Sequence, residues 1–310
     1  MPGQILEPGQ IEAAANIPPF LKLPAQDLFS RRAKRLRELA PGNPLGDYLN
    51  LLAELCDIQQ RLLDTQPALP IADEAALRRS VEHGMPPLAF ETLVREGAWL
   101  AVLDPLLDAF EATPGTPIGD ALIQLRKADA GQRKAWALGL LNGQYDLLPA
   151  ALVPFLGAAL QVAFSHWLLR LPEGLLQESE EQTLCPACGS PPVAGVIHHR
   201  GKYSTLRYLA CSLCSCEWHY VRVKCSHCRE SKGLAYLSLE SDAHEAARAP
   251  IRAEVCPNCQ GYLKQFYMER DEAAEPQADD LASLALDIRL AEDGYLRRAP
   301  NLLLAPGDSD

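Results

Sequence analysis

The sequence predicts an α+β protein: a multihelical N-terminal domain, then two tandem rubredoxin-like or zinc-ribbon β modules, then a short C-terminal helix. Three observations predict it. Apolar residues recur at three- and four-residue spacing through most of the chain before Leu171. Past the polar, acidic stretch QESEEQT the pattern changes to short apolar or β-branched runs set between glycines and cysteines. Nine of the ten cysteines fall between Cys185 and Cys259, and four C-x2-C pairs account for eight of them. The implied division is an arm over 1–22, a multihelical domain over 23–171, a linker over 172–184, four-cysteine modules over 185–222 and 223–270, and a C-terminal helix and tail over 271–310.

Residues 1–22 show no clear period and are expected to form an arm with a short helix. Phe29, Ala33, Leu36 and Ala40 predict a first helix from about Pro24 to Ala40. Arg31, Arg32, Lys34, Arg35 and Arg37 fill much of its remaining surface, a basic face that serves either as a solvated surface or as a docking face for an acidic partner. Gly42-Asn43-Pro44 is a stop and restart: Asn43 can cap the next helix, and Pro44 can take its first position, where a missing N–H costs nothing. That helix should reach about Leu63 with Tyr48, Leu52, Leu55, Gln59 and Leu62 on one face, and Cys56 within it is expected to be a packed thiol. A proline-containing linker, Thr65 to Ile71, leads to helices expected at about 73–83, 89–111, 117–127 and 130–141, with Pro105 able to kink or divide the second of these.

Leu147 to Leu171 is long and apolar enough to span a bilayer, yet it carries Pro154, Gln161, Ser165, His166 and Arg170, and no second span accompanies it. The expectation is a buried helix from about 148 to 171, with interfacial or membrane contact as the alternative. Strands are expected at Val193 to His198, Leu206 to Ala210, Trp218 to Val223, Leu234 to Leu239 and Tyr262 to Tyr267. After an acidic break, Asp271 to Asp280, a helix from Asp280 through Ala291 places Leu281, Leu284, Ile288 and Ala291 on one packing face, and Ala305 to Asp310 should fray.

A formal charge of −11 argues against a general phosphate-backbone binder, because that affinity is built from counterions released by Lys and Arg. Between Cys185 and Lys264 ten Lys and Arg face six Asp and Glu. Two divalent ions, each held by four thiolates, would contribute about −2 apiece and cancel that excess. Single-strand stacking on Tyr203, Tyr208 or Trp218 is the form of nucleic-acid binding left open. No phosphate-binding G-x-x-x-x-G-K-[ST] loop and no HExxH motif occurs. The N-terminus has neither a basic stretch nor an apolar core of the secretory kind, which with the cysteine pattern points to the reducing cytoplasm.

The two-residue spacing within each cysteine pair suits a metal, since it lets both sulfurs of one turn face one ion. Cys185 and Cys188 should join Cys211 and Cys214 in a first site, and Cys225 and Cys228 should join Cys256 and Cys259 in a second, with a hairpin between each two pairs. Interleaved pairing is the alternative. Gly189 permits the turn after the first pair, so that backbone N–H groups can aim at sulfur. All-thiolate tetrahedral sites suit zinc and mononuclear iron alike. Four thiolates leave no open coordination position, so neither site activates water, and the bland expectation is a structural staple. Cys216, the ninth cysteine of this region, is a packed thiol, a solvent-side thiol or a substitute ligand. His198, His199, His219 and His227 are expected on strand surfaces or in support of the ligands.

The runs CPACGSPP, LRYLACSLCSCEWHYVRVKCSHC, CPNCQGYLKQFY and ADDLASLALDIRLAEDGY, with RRAKRLRELAPGNPLGDYL near the N-terminus, resemble the FdhE family of formate dehydrogenase accessory proteins. The resemblance spans about 265 residues between its two ends. It implies a cytoplasmic, non-catalytic maturation factor that binds the catalytic subunit of a respiratory formate dehydrogenase, a molybdenum or tungsten enzyme exported by the Tat route. It also implies iron at the rubredoxin-like sites, with zinc as the alternative. The eight paired cysteines carry the family pattern, and Cys216 is additional to it. The residues themselves favour a binding protein over an enzyme, since no nucleophile, general base or cofactor loop stands out. Arg31, Arg32 and Arg35, the Tyr203 to Tyr208 hairpin, Trp218 and His219 are candidate client contacts. No nucleic acid and no membrane span are expected. The rival readings are a redox or sulfur-handling factor acting through the four-cysteine sites, and a nucleic-acid-binding ribbon.

Overall fold

The computed structural model describes residues 19–65, 68–176, 182–200, 205–239, 245, 248–299 and 301–305. The helix expected in the arm, the fraying after Ala305 and the candidate contact Tyr203 lie outside them. The architecture is α+β: a helical layer, then a sheet that carries both four-cysteine clusters, then two short helices.

The helical layer consists of α1 (Leu28–Leu39), α2 (Gly46–Thr65), α3 (Glu74–Glu82), α4 (Phe90–Glu96), α5 (Leu100–Ala109), α6 (Pro117–Lys127), α7 (Ala130–Leu141) and α8 (Val153–Leu168). Local chemistry sets most of these starts. Asp73, Thr116 and Asp129 each accept a hydrogen bond from a backbone N–H in the first turn of the helix they precede. The first turn of α1 is instead served across the fold: Gln60 Oε1 of α2 accepts from the N–H groups of Phe29 and Ser30, at 3.0 and 3.1 Å. Asn43 does mark the start of α2, its Oδ1 accepting from Leu45 N at 2.9 Å, but the helix begins at Gly46. The helix expected over 89–111 is divided, though not by Pro105. The break falls at Gly97, which takes φ +90°, and Pro105 lies inside α5.

Every residue of α8 is buried. Ala150–Leu168 is long and apolar enough to cross a membrane by length and composition, and 94% of its most apolar window is buried inside the protein. Its apolar character is thus used by the core. Gly157 explains part of its sequence: a Cβ there would stand 2.0 Å from the carbonyl oxygen of Leu302, so the glycine lets the C-terminal segment cross the helix at backbone contact.

The sheet contains β1 (Leu21–Lys22), β2 (Pro192–Ile197), β3 (Arg207–Cys211), β4 (Glu217–His219), β5 (Ala235–Leu237), β6 (Ile251–Val255), β7 (Gly261–Tyr267) and β8 (Leu296–Arg297). Its order is β1-β4-β3-β2-β7-β6-β5, with β8 paired to β7. β2, β3 and β4 make the antiparallel first ribbon, and β5, β6 and β7 the second. The two ribbons join edge to edge through a parallel pairing of β2 with β7, in the register Gly195↔Gln265 to Ile197↔Tyr267. A buried Arg207–Glu254 pair at 3.1 Å crosses that seam, and Glu254 also accepts from Tyr236 and Gln265 at 3.0 Å. Burial on both sides with hydrogen-bonded partners is what such a pair needs to persist.

Three sequence expectations are corrected here. The strand expected over Trp218 to Val223 stops at His219, and Val221 and Val223 are exposed. The single C-terminal helix is two, α9 (Pro276–Ala282) and α10 (Leu284–Glu292), and it starts within the expected acidic break. Asp279 and Asp280 are buried there because Arg35 pairs with the first, and Lys264 and Arg297 with the second. The packing face of α10 is Leu286 and Leu290, whereas Ile288 is 63% exposed.

Candidate metal centres

Each centre is assembled from two copies of one turn. In every copy the N–H of the first cysteine donates to the carbonyl five residues on: Cys185 to Ser190, Cys211 to Cys216, Cys225 to Glu230 and Cys256 to Gly261, at 2.8 to 2.9 Å. The residue after the second cysteine is left-handed in all four, with φ of +80° at Gly189, +59° at Ser215, +64° at Arg229 and +56° at Gln260. Only the first turn uses glycine there. The others hold a side chain in a region that costs on the order of 1 kcal/mol or more, a cost that a bound ion can offset. Backbone N–H groups aim at the sulfurs: Leu213 and Cys214 at Cys211 Sγ, 3.3 and 3.4 Å, and His227 at Cys225 Sγ, 3.4 Å.

The cysteines come together in sequence order. Cys185, Cys188, Cys211 and Cys214 form one group and Cys225, Cys228, Cys256 and Cys259 the other, with the sulfurs of each group within 4.8 Å of one another. In the first group Cys185 lies 3.6 Å from Cys214 and Cys188 lies 3.5 Å from Cys211, sulfur to sulfur. In the second the corresponding separations are 3.8 Å for Cys225–Cys259 and 3.6 Å for Cys228–Cys256. Tetrahedral coordination at about 2.3 Å per sulfur places thiolates at this kind of separation, so both donor sets fit a metal ion. Neither group includes a histidine. His198 instead lies against Glu217 at 2.6 Å.

The two centres differ in surroundings. All four cysteines of the first are buried, whereas Cys228 and Cys259 of the second are partly exposed. Burial would raise the Cys185 thiol, but the sulfurs of Cys188, Cys211, Cys214 and Cys216 around it carry it well below the ordinary range. Burial and the Cys185 sulfur hold Cys211 and Cys214 well above it. Four buried thiolates therefore need a cation to coexist. In the second centre burial pushes Cys225 up to about 12, while at Cys228 burial, which would raise the thiol, is outweighed by the combined hydrogen bonds from Asn258, the backbone and the neighbouring cysteines, bringing it to about 7.

The helical layer holds both turns of the first centre. The N–H groups of Leu88 and Phe90 donate to the carbonyls of Ala187 and Cys188 at 2.8 and 3.1 Å. On the other turn, Gln161 Nε2 of α8 and Gln277 Nε2 of α9 donate to Ser212 O at 3.0 and 3.1 Å, and Ser165 donates to Cys214 O at 3.4 Å. Arg32 of α1 completes the network, donating to Gln161, to Ser215 Oγ at 3.2 Å and to Glu275 at 3.0 Å. In the sequence Gln161 and Ser165 stand out only as polar interruptions of an apolar run. An arginine at helical spacing among four other basic residues looks like surface.

Several candidate client contacts are consequently turned inward. Arg32 is fully buried, and Arg35 is engaged by Asp271 and Asp279, so the basic face of α1 reduces to Arg31, Lys34 and the surface-paired Arg37. Tyr208 is buried and donates to Pro19 O at 2.5 Å; Trp218 is buried and donates to Gln182 O at 2.8 Å. Their burial depends on partners outside their own ribbon: Tyr208 bonds Pro19, 189 residues earlier, and β4, which carries Trp218, pairs with β1. His219 is half-buried beside Tyr208, and Arg31 is exposed. Cys216, left without a partner in the sequence reading, is buried with its sulfur 3.4 Å from Cys185 Sγ. The run C-S-L-C-S-C was its one visible signal.

Three family models match this chain in succession: "FdhE, N-terminal" over residues 17–181, "FdhE, central domain" over 184–222 and "FdhE, C-terminal domain" over 223–304. A relative from Pseudomonas aeruginosa named "Protein FdhE homolog" is 68% identical over 303 residues, covering 98% of each chain. A relative of that name from Pseudomonas putida is 60% identical, over 98% of this chain and 95% of its own. One from Cronobacter sakazakii is 38% identical, over 100% of this chain and 98% of its own. The crystal structure of the FdhE protein from Pseudomonas aeruginosa superposes with a TM-score of 0.89 at 66% identity, covering 94% of this chain and 100% of that one. Two all-cysteine clusters on a helix-backed sheet, found in a chain that aligns with these proteins from end to end, mean that it belongs to the FdhE family.

Proposed function

We propose that this protein is a cytoplasmic accessory factor, not an enzyme, that binds the catalytic subunit of a formate dehydrogenase during maturation and carries one iron ion at each four-cysteine centre. The observation that carries this reading is end-to-end membership in the FdhE family by a chain whose candidate metal clusters are ligand-saturated. Cys185, Cys188, Cys211 and Cys214 would hold one ion, and Cys225, Cys228, Cys256 and Cys259 the other. With four thiolates on each ion there is no position for water or substrate. A bound ion would supply rigidity and, if iron, a one-electron couple. The chain's own contribution is a fixed surface. On it, Arg31 stands beside a cavity of roughly 180 Å³ whose wall also includes Lys22, His198 and Glu275. The exposed Arg31 there would meet an acidic client surface and act chiefly on the rate of encounter.

One observation favours a redox role as the second reading. Cys228 and Cys259 are partly exposed, so the second centre lies nearer to solvent than the first. Electron exchange or sulfur handling needs such access.

Binding of the metal-loaded protein to the isolated catalytic subunit, with and without its signal peptide and its cofactor, tests the proposal. Saturable binding is expected, and its dependence on client state places the step in maturation. Absence of binding to every client form would shift the function to redox or sulfur handling without a stable complex. Protein purified without oxygen that holds zinc alone and no reducible centre would remove the iron assignment.

A further inference from the structure

The first centre contains five sulfurs. Cys216 is fully buried, and its Sγ stands 3.4 Å from Cys185 Sγ, nearer than the 3.6 Å between Cys185 and Cys214. It forms no disulfide. Its position is fixed by the turn: Cys216 supplies the carbonyl that closes the Cys211 turn, and Ser215 before it holds the left-handed conformation common to all four turns.

The second centre shows independently that this place points at the ligands. Gly261 occupies the equivalent position of the Cys256 turn, closing it through its own carbonyl. A Cβ added to Gly261 would lie 3.2 Å from Cys259 Sγ. A side chain at this site of the turn is therefore directed at the second cysteine of its own pair. At the other two equivalent positions stand Ser190 and Glu230, so only Cys216 brings a fifth soft donor.

We propose that Cys216 is a reserve ligand of the first centre, able to take the coordination position of Cys214. The inference rests on the reading of that centre as a metal site. Exchange is balanced: the bond from the ion to Cys214 sulfur breaks, the bond to Cys216 sulfur forms, and the proton leaving the Cys216 thiol is taken up by the freed Cys214 thiolate. Four thiolates surround the ion before and after, so its net charge does not change. The first centre can then free one sulfur without losing its ion, which the second, with Gly261 and Glu230 in these places, cannot do.

Cobalt(II) loading of the full-length protein tests this, because thiolate-to-cobalt charge-transfer absorbance grows with the number of coordinated thiolates. Wild type is expected to bind two ions with eight thiolates. Cys214→Ser should keep both ions and the full band. Cys214→Ser/Cys216→Ser should lose the first-centre ion or about one-eighth of the band, the share of one sulfur among eight. The matched Cys259→Ser should lose signal with no second substitution, and Cys216→Ser alone should match wild type. Equal spectra for Cys214→Ser and the double variant would overturn the proposal. So would a loss of signal in Cys216→Ser alone, which would make it an ordinary ligand, or a Cys214→Ser protein that cannot fold, since a reserve ligand would have closed the ribbon. Wild type that binds fewer than two cobalt ions would remove the metal reading itself, a failure distinct from these.

Discussion

Replacing Arg32 by methionine keeps most of the side-chain volume and removes the guanidinium, which makes it a direct measure of what the buried network contributes. Arg32 has no exposed surface and Glu275 only 12%. The substitution leaves Glu275 without its cation, Gln161 Oε1 without one donor, and Ser215 without its link to α1. Truncating one partner of a buried, hydrogen-bonded charge pair costs about 3–5 kcal/mol, most of it from the charge left behind. At roughly 2 °C per kcal/mol for a chain of this size, the melting temperature should fall by on the order of 6–10 °C. The loss should also be local in its consequence, because Ser212 and Ser215 belong to the Cys211–Cys214 turn. Metal should leave the first centre faster while the second keeps its wild-type rate. Arg31→Met, on the exposed side of the same helix, is the reference and should stay within about 0.5 kcal/mol of wild type. Calorimetry on both metal-loaded variants, with release followed by a chromogenic chelator, gives the two quantities. If Arg32→Met melts within 2 °C of Arg31→Met, or if both centres lose metal alike, the network does not hold the turn.

Chelator added to zinc-loaded protein under reducing conditions should draw metal in two phases, the faster from the partly exposed second centre; one phase, or a faster phase abolished by Cys188→Ser and kept by Cys256→Ser, would contradict this. Glu217 is partly buried, which by itself would raise its carboxyl, but His198 and Lys22 hold it below the usual range. A depressed folded value gives stability that is present above the unfolded pKa, about 4.3, and lost as pH falls through the folded value. Glu217→Gln should therefore be less stable than wild type at pH 7 and lose less than wild type between about pH 5 and pH 3, a difference checked by melting curves across that range. Gly157→Ala should push the C-terminal segment off α8, costing about 1–3 kcal/mol and opening the segment to protease; a variant as stable and resistant as wild type would show that Leu302 yields at no cost.

Much of the fold is written locally. Thr116-Pro117 and Asp129 each start a helix through contacts within one turn, so α6 and α7 are legible to the residue. The cysteine turns are equally local, so the four pairs are legible from spacing, while the structure decides between sequence-order and interleaved grouping in favour of sequence order. What resisted reading depends on partners far along the chain. The strand Ile251–Val255 was missed because Arg252 and Glu254 interrupt its apolar run, and Glu254 is buried only because Arg207 on the other ribbon meets it. Lys264 of β7 sits in the interior between Asp280, at the end of the expected acidic break, and Asp287 of α10. Arg32, Tyr208 and Trp218 looked like surface for the same reason. A charged or polar side chain has the composition of a surface residue whether or not a partner two hundred residues away buries it.

The placement of the two centres gives them unequal parts in folding. One continuous apolar core runs from Phe29 of α1 through Phe164 of α8 to Cys185, Cys188, Cys211, Cys214 and Trp218, so the first ribbon packs as part of the helical layer. Ala253, Val255 and Tyr262 of the second ribbon form a separate cluster with Leu286 and Leu290 of α10. Metal-binding free energy at a site absent from the unfolded chain is folding free energy. At the first centre it is transmitted to the helices through Leu88, Phe90, Gln161 and Ser165, which bond the turns directly. At the second it reaches the rest of the protein through the β2–β7 pairing and the Arg207–Glu254 pair. The ribbons also share an apolar cluster, in which Val193, Val196 and Ala210 of the first meet Phe266 of the second. An ion at the first centre would stabilise the helical layer, while loss of an ion from the second would disturb the main core least.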